Sequence, residues 1–156
     1  MQYSHRLPTL ATVTKLSNSS AMSLKISKGQ DEAAIRLQVN TLVESGWVVK
    51  GEIQLEKIYH LKTYTKVIVR EKGPSVTAKL TSKDLHNVIA IKSKSENHHP
   101  KMLTEFSTLT VQWTTHNPRG ISDKDIRMAK YSDAQAESVG TVKPSEAPRC
   151  GPASPT

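Results

Sequence analysis

Apolar positions recur with two different periods along the middle of this chain, and each period predicts a different element. Ile35, Val39 and Leu42 follow one another at helical spacing after Asp31, an acid suited to the first turn of a helix. Gly46 then stands where a left-handed residue commonly ends a helix. The pattern therefore predicts a helix that begins at Asp31 and ends just before Gly46.

The period changes to the alternation of a strand directly after this helix. Trp47–Val49 predicts a short strand, and Lys50-Gly51 supplies a turn. A second, half-buried strand follows, and one of its faces carries Ile53, Leu55, Tyr59 and Leu61. Lys57 lies on the same face as a polar exception. The two strands predict a β-hairpin.

A second helix is predicted from Ser82, whose hydroxyl suits an N-cap position. Its stripe contains Leu85, Val88, Ile89 and Lys92. The preceding segment contains the β-branched run Val67–Val69 and a break at Gly73-Pro74, and it predicts no single element.

The last part of the patterned region predicts a strand, a turn and a helix. Thr108–Trp113 alternates cleanly, and a further short strand is predicted near Met102–Phe106. After a turn at Asn117–Gly120, Ser122 and Asp125 have the spacing of a capping box. Strands joined by helices that can all cover one face predict an α+β domain, an antiparallel sheet with helices packed on one face.

Composition divides the 156-residue chain into three parts. Residues 31–136 form the predicted domain, whose small aliphatic core favours oligomerisation. Residues 1–30 have no sustained period and no acid, and they predict a disordered or targeting extension. Residues 137–156 are rich in Pro and Ser with mixed charge, which predicts a disordered tail. The expected localisation is cytoplasmic, with mitochondrial import through residues 1–30 or a nuclear location as alternatives.

The formal net charge of +8 permits a nucleic-acid or anionic partner. No block of Lys and Arg with interleaved aromatics occurs, so we do not expect nucleic-acid binding. No apolar run approaches the ~20 residues that span a bilayer, so we expect no membrane association. The single cysteine, Cys150, excludes an intramolecular disulfide and suits a reducing compartment.

Three of the six histidines concentrate in two short motifs, Asn97–Pro100 and Thr115–Gly120. Histidine both donates and accepts protons near neutral pH, so these motifs indicate acid–base chemistry. A metal site is not expected, because adjacent strand residues point to opposite faces and no further ligands stand at suitable spacing. No nucleophile elbow, phosphate loop or dinucleotide fingerprint is present, and no cofactor is expected.

The chain resembles the pterin-4a-carbinolamine dehydratases over roughly residues 31–136. The resemblance rests on Gly46-Trp47, on Tyr59–Tyr64, on the Asn-His-His-Pro motif, and on Thr115-His116 through Ile121-Ser122 with Asp125 and Ala129. It implies an antiparallel sheet with helices on one face and assembly into dimers or tetramers. It also implies dehydration of 4a-hydroxytetrahydrobiopterin to quinonoid dihydropterin and water, a step in tetrahydrobiopterin recycling.

The resemblance also implies the site residues. His98, His99 and His116 match the family's catalytic histidines, with His99 or His98 as the acid and His116 as its partner. The residues expected to contact the pterin substrate are Pro100, Thr115, Asn117, Pro118 and Asp125. Asp125 has a capping role whether or not it touches substrate. The alternative function is a catalytically impaired, oligomeric protein-interaction module, since some members act as the dimerisation cofactor of a homeodomain transcription factor.

Overall fold

The computed structural model of the chain describes residues 23–62 and 82–147, with side chains in the second range from residue 84 onward. Its helices are α1 (Glu32–Glu44), α2 (Ser82–Glu96) and α3 (Asp123–Val139). Its strands are β1 (Val48–Lys50), β2 (Gln54–His60), β3 (Lys101–Thr104), β4 (Thr108–Trp113), β5 (Thr115–His116) and β6 (Arg119–Gly120). A short 3-10 turn, Pro144–Glu146, follows α3.

The first helix forms as its pattern predicts. The Asp31 carboxylate accepts the Ala34 N–H at 3.1 Å and so satisfies one of the free donors of the first turn. The predicted stripe of Ile35, Val39 and Leu42 is buried. Gly46 follows with a φ of +98°, which leads the chain directly into the sheet.

The main sheet has the order β1-β2-β4-β3, and all of its pairs are antiparallel. Leu55 pairs with Trp113 and Tyr59 with Leu109, so the alternation of β2 and β4 brings their apolar residues to one face. These side chains are buried with those of the helices in one core. The predicted α+β architecture, with helices on one face of an antiparallel sheet, is confirmed.

Packed structure begins before residue 31. The backbone of Lys25–Ser27 bonds to Glu52 and to Ile121, and Ser27 is 3% exposed. A Cβ built on Gly120 would stand 2.6 Å from the Ser27 nitrogen, so glycine alone allows this contact. The predicted boundary at residue 30 therefore falls after the first packed residues.

Packed structure also continues past residue 136. Helix α3 reaches Val139, Gly140 ends it with a φ of +82°, and Val142 bridges to His60 at the end of β2. The predicted tail boundary thus falls inside α3. Outside the described residues lie positions 1–22, the segment of Val67–Val69 and Gly73-Pro74, and Cys150.

Candidate active site

Helix α3 begins beside the end of β4, and its third residue is a buried carboxylate. Ser122 and Asp125 form the predicted capping box, in which the Asp125 Oδ2 accepts the Ser122 N–H at 2.8 Å. The same oxygen accepts the hydroxyl of Thr115 at 2.7 Å and that of Ser122 at 3.0 Å. Asp125 is 0% exposed, so these donors replace the water that an ionised carboxylate needs.

The other oxygen of this carboxylate holds a histidine. His98 Nε2 lies 2.7 Å from Asp125 Oδ1, although the two residues are 27 positions apart. Because an ionised carboxylate only accepts hydrogen bonds, the hydrogen resides on Nε2. The contact therefore fixes the orientation of the imidazole and leaves Nδ1 as its second nitrogen.

The backbone and a tryptophan complete the support of His98. Asn97, with a φ of +50°, ends α2, and the His98 N–H donates to the Ser93 carbonyl at 3.0 Å. The imidazole stacks on the Trp113 indole with centroids 5.5 Å apart and 17° between the planes. The side chain of His98 is 10% exposed, and Trp113 is fully buried. His98 is thus clamped between a core ring and a core carboxylate.

The remaining two histidines of the motifs are exposed. His99 follows His98, and His116 follows Thr115, so each is the chain neighbour of a residue bound to Asp125. Neither ring hydrogen-bonds to another described residue. The structure therefore joins the two histidine motifs through one carboxylate, with one histidine clamped and two exposed to solvent.

The residues predicted to contact substrate do not all belong to the hydrogen-bonded centre. Thr115 and Asp125 belong to the hydrogen-bonded centre. Asn117 and Pro118 form the exposed turn between β5 and β6, joined by a cis peptide bond, and the Pro118 carbonyl accepts the Ser27 hydroxyl at 2.8 Å. Pro100 is half-buried at the entry to β3. Asn117, Pro118 and Pro100 are therefore not bonded to the Asp125 carboxylate.

Two residues of the centre were not among the predicted site residues. Ser122 was expected only as a cap, yet its hydroxyl also lies 2.6 Å from that of Thr115. Trp113 was expected in the core from its strand parity, and nothing in the spacing indicates that a histidine stacks on it. The capping-box pattern was the one available signal for Ser122.

A second carboxylate on α3, Asp133, gathers a separate group of donors. Its oxygens accept the Lys57 ammonium and the Tyr59 hydroxyl at 2.7 Å each, and the Trp47 indole N–H at 2.9 Å. Burial first, and then the Asp133 charge, raise the pKa of Tyr59 far above its ordinary value. The group borders an open cleft of about 350 Å³, which Ser45, Ala136, Glu137 and Thr141 also line.

Among residues 23–62 and 82–147, no three His, Cys, Asp or Glu side chains come together as metal ligands. In the same part of the chain, no helix has the length and apolarity required to cross a membrane.

The fold and the centre define an α+β domain in which one buried carboxylate on a helix binds both histidine motifs. The family model described as "Pterin 4 alpha carbinolamine dehydratase" matches residues 74–135. A pterin-4-alpha-carbinolamine dehydratase 1 of Gloeobacter violaceus is 31% identical over 98 residues, covering 59% of this chain and 84% of that protein.

Two further similarities extend the comparison. The pterin-4-alpha-carbinolamine dehydratase of Drosophila melanogaster is 24% identical over 133 residues, which cover 85% of this chain and 60% of that protein. A crystal structure of a transcriptional coactivator/pterin dehydratase from Brucella melitensis superposes with a TM-score of 0.53 at 20% identity, covering 68% of this chain and 96% of that one. The chain belongs to the pterin-4-alpha-carbinolamine dehydratase family.

Proposed function

We propose that the protein dehydrates pterin-4a-carbinolamines to quinonoid dihydropterin and water by histidine acid–base catalysis, and so supports tetrahydrobiopterin recycling. Family membership supports the reaction class. The observation that carries the chemistry is the bonding of both histidine motifs to Asp125.

The reaction requires two proton transfers and no redox step. An acid protonates the hydroxyl on carbon 4a, and the C4a–O bond then breaks to release water. A base removes the proton from N5, and the electron pair left on nitrogen forms the C4a=N5 double bond. Imidazoles perform both transfers near neutral pH, each contributing typically about 10²–10⁴-fold.

The different exposure of the histidines supports a division of roles. His99 and His116 are exposed, so both can reach a substrate, whereas His98 is clamped by Asp125 and Trp113. We assign protonation of the 4a-hydroxyl to His99 and removal of the N5 proton to His116. His98 acts as a positioning residue that orders the motif containing His99.

Single substitutions test this assignment. We expect His99→Ala and His116→Ala each to lower kcat for a 4a-hydroxytetrahydropterin by about 10²–10⁴-fold, because each removes one proton-transfer group. The matched control is His86→Ala, because His86 lies away from the candidate site. It bonds to Thr104 of β3, which pairs with Leu109 at the opposite end of β4 from Trp113. Undiminished rates in both active-site variants would contradict the proposal.

The exposed face of the sheet supports a second candidate function, an oligomeric protein-interaction module. Opposite the helices, Ile58, Thr110 and Leu103 lie in one row across three strands, with the isoleucine 49% and the leucine 54% exposed. Apolar side chains exposed together favour association, and a second copy of this chain is the partner that an oligomeric family suggests.

Sedimentation measurements on substituted chains test this second function. We expect Ile58→Lys to shift an oligomer toward the monomer, because the new charge would be buried in the interface. Leu37→Lys is the matched control, since Leu37 is 69% exposed but lies on α1. An oligomer without pterin turnover would favour the interaction module over the enzyme, whereas equal masses for all three chains would remove this surface from consideration.

A further inference from the structure

The ribbon formed by β5 and β6 places an arginine directly opposite one of the exposed histidines. His116 pairs with Arg119 across the two strands. Directly opposed residues of an antiparallel pair share one face, with Cβ atoms typically about 4.5–5.5 Å apart. Both side chains are exposed. The Arg119 side chain therefore leaves the ribbon on the same face as the group that we assign to the N5 proton.

The opposite face of this ribbon is closed, which restricts where the arginine can lie. Gly120 is packed so tightly against Ile26 and Ser27 that an added Cβ would approach their backbone within 2.6–2.7 Å. The Ser27 hydroxyl also donates to the Pro118 carbonyl at 2.8 Å. The N-terminal segment thus fills one side of the ribbon and leaves the side of Arg119 open.

The same segment adds a second cation. Lys28 follows Ser27 directly and is exposed. Neither Lys28 nor Arg119 forms an ion pair with any of the described residues. We call these two side chains the cationic rim of the site.

Two acids beside the N-terminal segment and the ribbon are bonded to other groups. Asp123, whose N–H donates to the Gln30 side chain, forms an ion pair of 2.9 Å with Arg127. Asp125 is buried and bonded to its own donors. Neither of these carboxylates forms an ion pair with the rim.

We propose that the cationic rim binds an anionic group on the side chain of the pterin, and that the preferred substrate carries a phosphate or a carboxylate there. The inference rests on the proposed dehydratase function and adds its substrate class. The dehydration itself concerns a neutral ring and has no need of a guanidinium. Arginine, by contrast, presents a planar fork of donors that matches carboxylate and phosphate oxygens.

Three 4a-carbinolamines test the proposal, with a neutral dihydroxypropyl, a phosphorylated or a carboxylated side chain. We expect the protein to favour an anionic one by about 5- to 10-fold in kcat/KM, mainly through KM, and to lose the preference as salt rises. The anionic side chain that gives the higher kcat/KM shows whether the preferred substrate carries a phosphate or a carboxylate. Arg119→Gln and Lys28→Gln should each reduce the preference for the anionic substrates.

The matched control is Lys143→Gln, which removes the same charge from an exposed lysine beside Val142 at the far end of β2. This variant should retain the full preference. A parallel fluorescence titration with oxidised, unreactive pterins bearing the same three side chains measures binding without turnover. We expect the same order of affinities there.

The outcomes separate this inference from the proposed function. Turnover of all three substrates without an anionic preference overturns the cationic rim and leaves the dehydratase proposal standing. An equal loss on all three substrates in Arg119→Gln also overturns it, because the arginine would then support the site as a whole. A preserved anionic preference in the titration without any turnover supports the rim and overturns the dehydratase proposal.

Discussion

Two of the carboxylates on helix α3, Asp125 and Asp133, lie about two turns apart and organise two different regions of the molecule. Asp125 gathers one imidazole, two hydroxyls and a backbone N–H at the candidate active site. Asp133 gathers an ammonium, a phenol and an indole N–H at the other region. Both are saturated with donors, so saturation alone does not distinguish a site from a structural contact.

The two carboxylates differ in the chemistry of the donors that they bind. Asp133 binds Lys57, whose ammonium only donates hydrogen bonds, together with a phenol and an indole N–H. Asp125 binds His98, an imidazole that can donate at one nitrogen and accept at the other, and His98 adjoins an exposed His99. The Asp133 carboxylate therefore fastens α3 to β2, whereas the Asp125 carboxylate orients the motif in which we propose proton transfer.

The largest expected effect is that of Asp125→Asn. The amide keeps the shape, but its NH₂ faces donors in place of an acceptor, so His98 or Thr115 loses its partner. We expect kcat for carbinolamine dehydration to fall by about 10²-fold or more, and the free energy of unfolding to fall by about 1–3 kcal/mol. Steady-state kinetics and urea denaturation measure the two quantities.

The outcome that would contradict this prediction is a stability loss with unchanged kcat. The two carboxylates would then have the same kind of role.

Asp133→Asn is the matched substitution on the same helix. It leaves Lys57 without its counter-charge and one of its other donors unsatisfied. Since the Lys57 and Asp133 side chains are 18% and 25% exposed, we expect a loss of about 1–3 kcal/mol in the free energy of unfolding. We expect kcat to change by less than about threefold, because neither histidine motif touches this group. A fall in kcat comparable with that of Asp125→Asn would show that the Asp133 group also serves the reaction.

The sequence predicted those parts of the fold whose signal is local. The stripe of α1, the alternation of β2 and β4, and the capping box of α3 each occupy one short window, and each is present in the structure. Lys57 is visible in the sequence as a polar residue on an otherwise apolar strand face. Its partner Asp133 lies 76 positions away, and only the packing of α3 on β2 brings the two together.

The sequence predicts most residues of the candidate site, but it does not predict how they contact one another. The two histidine motifs and Asp125 are visible in the sequence, but their spacing does not reveal that one carboxylate joins them. Lys25–Ser27 gives no periodic signal, because it contacts the body through an isolated bridge and a few backbone bonds. The stacking of His98 on Trp113 is also not predictable from the sequence, because strand parity places Trp113 in the core but does not show which residue contacts it.

The smallest expected effect concerns Tyr59 in the Asp133 group and the dependence of the free energy of unfolding on pH. Burial and the neighbouring carboxylate raise the pKa of Tyr59 in the folded chain, whereas in the unfolded chain it lies near 10. The stabilisation from the neutral phenol is therefore complete below pH 10 and is lost as the pH rises above it, by up to about 1.4 kcal/mol per pH unit.

Tyr59→Phe should cost about 1 kcal/mol near pH 7, for the lost hydrogen bond, and should lose less stability than the natural chain between pH 10 and 11. The difference between the two unfolding curves reports on the phenol, because the two chains differ only in its hydroxyl. Parallel curves above pH 10 would mean that the tyrosinate forms freely in the folded protein. Burial and the Asp133 carboxylate would then not hold the phenol in its neutral form.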